Sequence, residues 1–156
     1  MAPMDSNLEQ LLSISSKYRK QLQSFTTGDL AGFSGGTCDI SSIMLGHYLY
    51  SQGFENIMVI YAVRWKIDPA YGDNKTQSSY THTWLKVNNH YIVDITADQF
   101  PDCKTEVIVT TQSNFHDSFE EKTAINNILD ETIPNQYIET YQSIDKELDI
   151  STGQPA

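Results

Sequence analysis

The chain is short of basic side chains: ten Lys and Arg stand against twenty Asp and Glu among 156 residues, a formal charge of −10. With no Lys/Arg cluster to meet phosphates, nonspecific binding to nucleic acid or to an anionic membrane surface is not expected. Only two cysteines are present, Cys38 and Cys103, so there is no disulfide framework. A single Cys38–Cys103 bridge stays open, with a reduced chain the expectation. Apolar runs of the roughly 18 residues that span a bilayer are also missing. The first residues carry neither the basic nor the apolar stretch of a cleaved signal peptide. Cytoplasmic synthesis is therefore expected, and export by a specialised secretion system is left open. Internal repeats and low-complexity segments are lacking too. What is present is 39% hydrophobic residues, including nine tyrosines, in a length that suits one domain with its own core.

The pattern along the chain predicts α+β architecture. Asn7 to Phe25 carries Leu8, Leu11, Leu12, Ile14, Tyr18 and Leu22 at helical spacing, with Ser6 or Asn7 as the cap. Thr26 to Thr37 holds four glycines and no periodicity, and reads as a loop. A second helix starts at Cys38 and ends at Gly53. Ile57–Val63 is an apolar run of strand length. Asp68 to Ser79 is a polar connection suited to a substrate-facing flap. Tyr80–Val87 and Tyr91–Thr96 form a hairpin about Asn88-Asn89, and Glu106–Thr111 is a further strand. Phe115–Leu129 and Asn135–Leu148 read as helices. Helices at both ends and strands between them make an antiparallel sheet with helices packed on it. The expected single domain spans 1–156, with a core over about 7–112 and a helical C-terminal extension over about 115–148.

Three positions carry chemistry. Gly35-Gly36-Thr37-Cys38 is a turn that delivers a thiol to a helix start, where the macrodipole and unpaired N–H groups favour thiolate. Most free cysteines are simply small buried apolar residues, so Cys38 gains meaning only from the hairpin. There His82, Trp84 and Lys86 share one face of the first strand. The second strand carries Asp94 between Val93 and Ile95, and a carboxylate inside an apolar strand needs a partner. A two-residue turn at Asn88-Asn89 sets His82 opposite a position near 95, and a one-residue bulge brings Asp94 beside it. Thiol, imidazole and carboxylate then supply nucleophile, base and orienter.

In sequence, Gly36-x-Cys38, His82-x-Trp84 and Asp94-x-Thr96-x-x-Gln99 resemble the core motifs of the transglutaminase-like branch of the papain-fold cysteine enzymes. The resemblance covers Gly35 to Phe100. It implies a papain-like/transglutaminase-like core in which Cys38 opens the central helix and His82 and Asp94 lie on adjacent antiparallel strands. By the same token Cys38 is implied as nucleophile, His82 as general base and Asp94 as its orienter, acting on a protein or peptide substrate. Thr37, Trp84 and Gln99 are the candidates for substrate or oxyanion contacts. The pattern departs from the family at Asp39, where many members have an aromatic residue. A carboxylate there disfavours the thiolate and partly opposes the helix dipole. A papain-type glutamine before the cysteine is also missing, so the oxyanion donor falls to the backbone N–H of Cys38 and a neighbour.

The expected activity is thioester-based hydrolysis of an amide, as a peptidase or glutamine deamidase, or transamidation. Analogy suggests a bacterial effector or toxin acting on a protein. The alternatives are a non-catalytic binding module on the same fold and a thioester-based acyltransferase. No cofactor is expected. A zinc site from Cys38, His82, Asp94 and a further histidine lacks a short-spaced ligand pair. Cys103 with His116 ranks below Cys38 because no helix follows it.

Overall fold

A computed structural model describes residues 5–25, 37–65 and 79–151. The glycine-rich loop expected before Thr37, nearly all of the polar connection from Asp68 and the tail beyond Ser151 lie outside these residues. Helix α1 (Ser6–Gln23) buries Leu11, Tyr18 and Leu22 on one face. Its cap is Asp5 rather than Ser6 or Asn7: Oδ1 accepts the backbone N–H of Asn7 at 3.0 Å, and Oδ2 accepts the hydroxyl of Tyr91. Two carboxylate oxygens let one residue cap the helix and tie it to the sheet.

Helix α2 (Cys38–Ser51) opens on the cysteine, as expected. Thr37 stands at the N-cap position, but its side chain makes no capping bond. The helix closes at Gly53, whose φ of 98° is left-handed. The N–H groups of Gly53 and Phe54 bond to the carbonyls of Tyr50 and Leu49 at 3.0 and 3.2 Å, a Schellman closure. Gly46 lets α2 lie close: a Cβ there would meet Ile128 Cδ1 at 2.6 Å and Leu85 Cδ2 at 3.3 Å.

Strands β1 (Met58–Trp65), β2 (Ser79–Val87), β3 (Tyr91–Asp94), β4 (Ile108–Thr110) and β5 (Glu120–Ile125) form one antiparallel sheet, ordered β4-β3-β2-β1-β5. The expected α+β class is therefore observed. The helix expected over Phe115–Leu129 is not formed. A short α3 (Asn114–Asp117) makes one turn, and Glu120–Ile125 adds to the edge of β1 as β5. All of β5 except Ile125 is exposed. Its charges face solvent, as an edge strand protected against further pairing requires, and so it carries little apolar signal. The C-terminal helical extension is thus interrupted by a strand of the central sheet before α4 (Ile138–Ser151) returns to pack Ile144 and Leu148 in the core.

The hairpin also departs from the expected register. Asn88 and Asn89 both have positive φ, near 56° and 55°, and Val87 O accepts from His90 N at 3.1 Å. The ladder then resumes one residue late, pairing Val87 with Tyr91 and Leu85 with Val93. No rung pairs His82 with Asp94. β2 and β3 part beyond Leu85 and Val93, and the two side chains meet across that opening.

Alternation along the strands gives the sheet two unlike faces. Val59, Leu85, Val87 and Val93 join Leu11, Met44, Leu45 and Leu49 in the main core beneath α1 and α2. Ile60, Ala62, Trp84, Phe100 and Phe119 form a smaller cluster on the other side.

Candidate active site

Asp94 is the hub of the second face. It ends β3, is 1% exposed, and accepts the backbone N–H of Thr96 on Oδ1 at 3.0 Å. Its Oδ2 accepts from His82 Nε2 at 2.6 Å and from His116 Nε2 at 2.6 Å. An ionised carboxylate only accepts, so both imidazoles present Nε2–H to it. Burial alone would push the Asp94 carboxyl up. The hydrogen bonds from His116 and His82, and their charges, outweigh burial and hold it well below the ordinary carboxylate range.

His82 lies on β2, enclosed by Phe100, Trp84 and Phe119 with ring centroids 5.0, 5.6 and 5.6 Å away. With Nε2 turned to Asp94, Nδ1 lies 3.4 Å from Gln99 Nε2, and the Cys38 thiol is near enough to act on the proton affinity of the ring. Burial pulls the imidazole down, yet Asp94 and Cys38 together raise it from 6.5 to about 9. Of the three residues singled out in the sequence, His82 and Asp94 are in direct contact, and Cys38 acts on the His82 imidazole from the start of α2.

The start of α2 is fixed to β2 by Ser42, whose hydroxyl donates to Thr83 O at 3.2 Å. Asp39 is fixed too, accepting the hydroxyl of Thr83 on Oδ1. The Cys38 thiol lies 3.7 Å from that same oxygen. Tyr61 borders this side of the site and donates to Glu131 Oε1 at 3.0 Å. Burial, Glu131, Asp39 and Cys38 all push its hydroxyl well up.

Of the candidate contact residues, Gln99 sits at the imidazole, its amide also donating to Thr96 O at 3.0 Å. Trp84 is 3% exposed and packs on His82 and, at 4.7 Å, on His116. Thr37 is 3% exposed beneath the helix start. Cys103 does not pair with His116. Its thiol is pushed up by burial, with the charges of Asp94, Asp102 and Asp98 adding to this, and both cysteines are free.

Two residues that matter here carried no usable signal. His116 follows a cap, Ser113, whose hydroxyl lies 2.6 Å from His116 Nδ1 and accepts the backbone N–H of His116 at 3.2 Å. Ser-x-x-His is common at helix starts and says nothing of Asp94. Arg19, on α1 and 4% exposed, grips the segment after β3. It donates to Asp98 through both terminal nitrogens at 2.8 Å and to the carbonyls of Ile95 and Glu106 at 2.7 and 3.0 Å. That clamp holds the turn that presents Gln99.

Among the described residues, His82, Asp94 and His116 form one group whose ligand-type atoms lie within 4.8 Å of one another. Both imidazoles converge on a single carboxylate oxygen at hydrogen-bond length, and that accounts for the arrangement without an ion. Beyond His116 opens a polar cleft of about 470 Å³, lined among others by Trp84, Lys86, Ser113, His116 and Glu121. No described helix is long and apolar enough to cross a membrane. No protein-family model, curated protein or solved structure matches the chain.

Proposed function

We propose that the protein is a thiol-dependent amide hydrolase of the transglutaminase-like, papain-fold kind, acting on a peptide bond or a glutamine carboxamide of a protein. The observation that carries this reading is the buried 2.6 Å bond of His82 Nε2 to Asp94 Oδ2, with the Cys38 thiol at the start of α2 near enough to raise the same imidazole. Cys38 sulfur attacks the carbonyl carbon while its proton passes to His82 Nδ1. The tetrahedral oxyanion is met by the Cys38 N–H at the open end of α2 and by the Gln99 amide. The C–N bond then breaks, the nitrogen leaves with the proton from His82, and a thioester remains. Water, deprotonated by His82, attacks the thioester; the C–S bond breaks, the acid leaves and the thiol is restored. An amine in place of water gives transamidation. Asp94 keeps the imidazole in the tautomer with Nδ1 toward sulfur and stabilises the imidazolium.

A binding module on the same architecture is the competing reading. Its support is the 3.7 Å contact of Cys38 Sγ with the Asp39 carboxylate, an acidic neighbour an activated thiol would do without. Alkylation by iodoacetamide across pH, with the modified cysteine mapped by mass spectrometry, separates the two. The hydrolase reading expects Cys38 to react near neutral pH much faster than a free thiol. Reaction no faster than a free thiol supports the binding module and overturns the hydrolase.

A further inference from the structure

From the convergence of two buried imidazoles on one oxygen of Asp94, we infer that His116 is a positioning residue that sets the pH range over which the Cys38–His82 pair works. The inference rests on the hydrolase reading for its meaning, but not for its measurement.

The geometry is that of a shared acceptor. Asp94 Oδ2 takes Nε2–H of His82 from β2 and Nε2–H of His116 from α3, each at 2.6 Å, and Oδ1 takes the Thr96 N–H. The titratable groups facing Asp94 are those two histidines and, by charge alone, the Cys103 thiol. His116 is itself fixed on its other side. Ser113 bonds Nδ1 at 2.6 Å, Trp84 packs edge-on at 4.7 Å and Phe115 at 5.1 Å. Lys86, Asp117 and Glu121 share its cleft. The ring cannot turn away without leaving a buried donor and a buried carboxylate short of partners.

Two consequences follow. A donor from His116 stabilises the ionised carboxylate, so Asp94 stays charged and able to orient His82 as the medium becomes acidic. The same donor divides the carboxylate's accepting power, so His82 is bound less strongly than by an undivided Asp94 and releases its proton to the leaving nitrogen more readily. Loss of the donor therefore moves the two limbs apart: the His82 limb goes upward in pH, and the more basic imidazole carries the Cys38 thiolate limb downward. A merely structural His116 would change stability and leave the limbs in place.

The test compares His116→Phe, His116→Gln and Ser113→Ala with wild type, each first checked for a native circular dichroism spectrum. One readout is the pH profile of Cys38 alkylation by iodoacetamide. The other is the His82 imidazole titration, followed by NMR in a Cys38→Ser background. His116→Phe should raise the His82 titration by about one pH unit, the scale of one hydrogen bond to a buried carboxylate, and move the onset of Cys38 alkylation to lower pH. His116→Gln, whose amide nitrogen replaces Nε2–H, should return both close to wild type. Ser113→Ala, which loosens the ring, should shift each in the same direction as His116→Phe does, by less, and it carries the test should His116→Phe not fold. A folded His116→Phe, or in its absence Ser113→Ala, with both profiles superimposed on wild type overturns the inference. So does a His116→Gln that shifts as far as His116→Phe. The wild-type alkylation curve judges the hydrolase reading, whereas the His82 titration judges the inference even where that reading fails.

Discussion

Beneath α1 and α2 the sheet offers the aliphatic Val59, Leu85, Val87 and Val93 to the main apolar core. On its other face Trp84, Phe100 and Phe119 surround His82, with Asp94 and His116 buried beside it. Both faces exclude water, but the consequences are opposite. On the first, exclusion stabilises in proportion to the apolar area removed from water. On the second it strengthens every hydrogen bond to a charge and makes each one costly to lose. The aliphatic face holds the fold, and the aromatic face makes a carboxylate and two imidazoles interact strongly.

The most disruptive way to break that division is Asp94→Asn. It keeps the shape and removes the charge that both imidazoles share, so on the hydrolase reading turnover should fall by about a thousandfold to ten-thousandfold. Measuring kcat on the substrate, once found, against the unchanged circular dichroism spectrum checks it. Leu85→Ala does the reverse. This fully buried leucine should cost about 2–5 kcal/mol in denaturant unfolding and leave the Cys38 alkylation rate of the folded protein unaltered. A change in that rate would show that the two faces are not separable.

Arg19→Met tests the strap between the faces. It leaves Asp98 and two carbonyls without their donor, and should cost about 3 kcal/mol and weaken whatever Gln99 contributes. The readouts are unfolding free energy and alkylation rate in one preparation. The pH dependence of stability has a definite sign. Raised from 6.5 to about 9, His82 contributes stability that is complete below its unfolded value and is lost as pH rises toward 9. Asp94, held far below its unfolded value, contributes stability that is lost only in strong acid. Unfolding in urea at pH 6 and at pH 9.5 should show wild type weaker at the higher pH, with the difference reduced in His82→Asn. The smallest effect is expected at Asp39→Asn. Removing a charge 3.7 Å from sulfur should raise alkylation by about fivefold, the factor for roughly 1 kcal/mol between charges at such a distance in water.

Much of this was legible from residue order. The α+β class, the helix opening on Cys38, the apolar β1 and the hairpin all follow from periodicity and turn residues. Asp94 declared itself as a carboxylate within an apolar strand. The register did not, because whether Asn88-Asn89 closes directly or takes His90 as an extra residue is decided by packing, not by local sequence. β5 was hidden because an exposed edge strand such as Glu120-Glu121-Lys122-Thr123 has no inward face to write into the pattern. Arg19 and His116 act on residues far along the chain, and nothing local separates a clamp from a solvated cation, or a relay histidine from a capped one.

Activation of Cys38 by His82 is the proposal's core, and the chain contains its own control in Cys103, whose thiol is pushed up by burial. Iodoacetamide labelling at neutral pH, with both cysteines quantified in the same digest, gives their ratio in wild type and in His82→Ala. Cys38 should far outpace Cys103 in wild type and lose that lead in the variant. Equal rates in wild type, or a lead that survives the loss of His82, would contradict that activation.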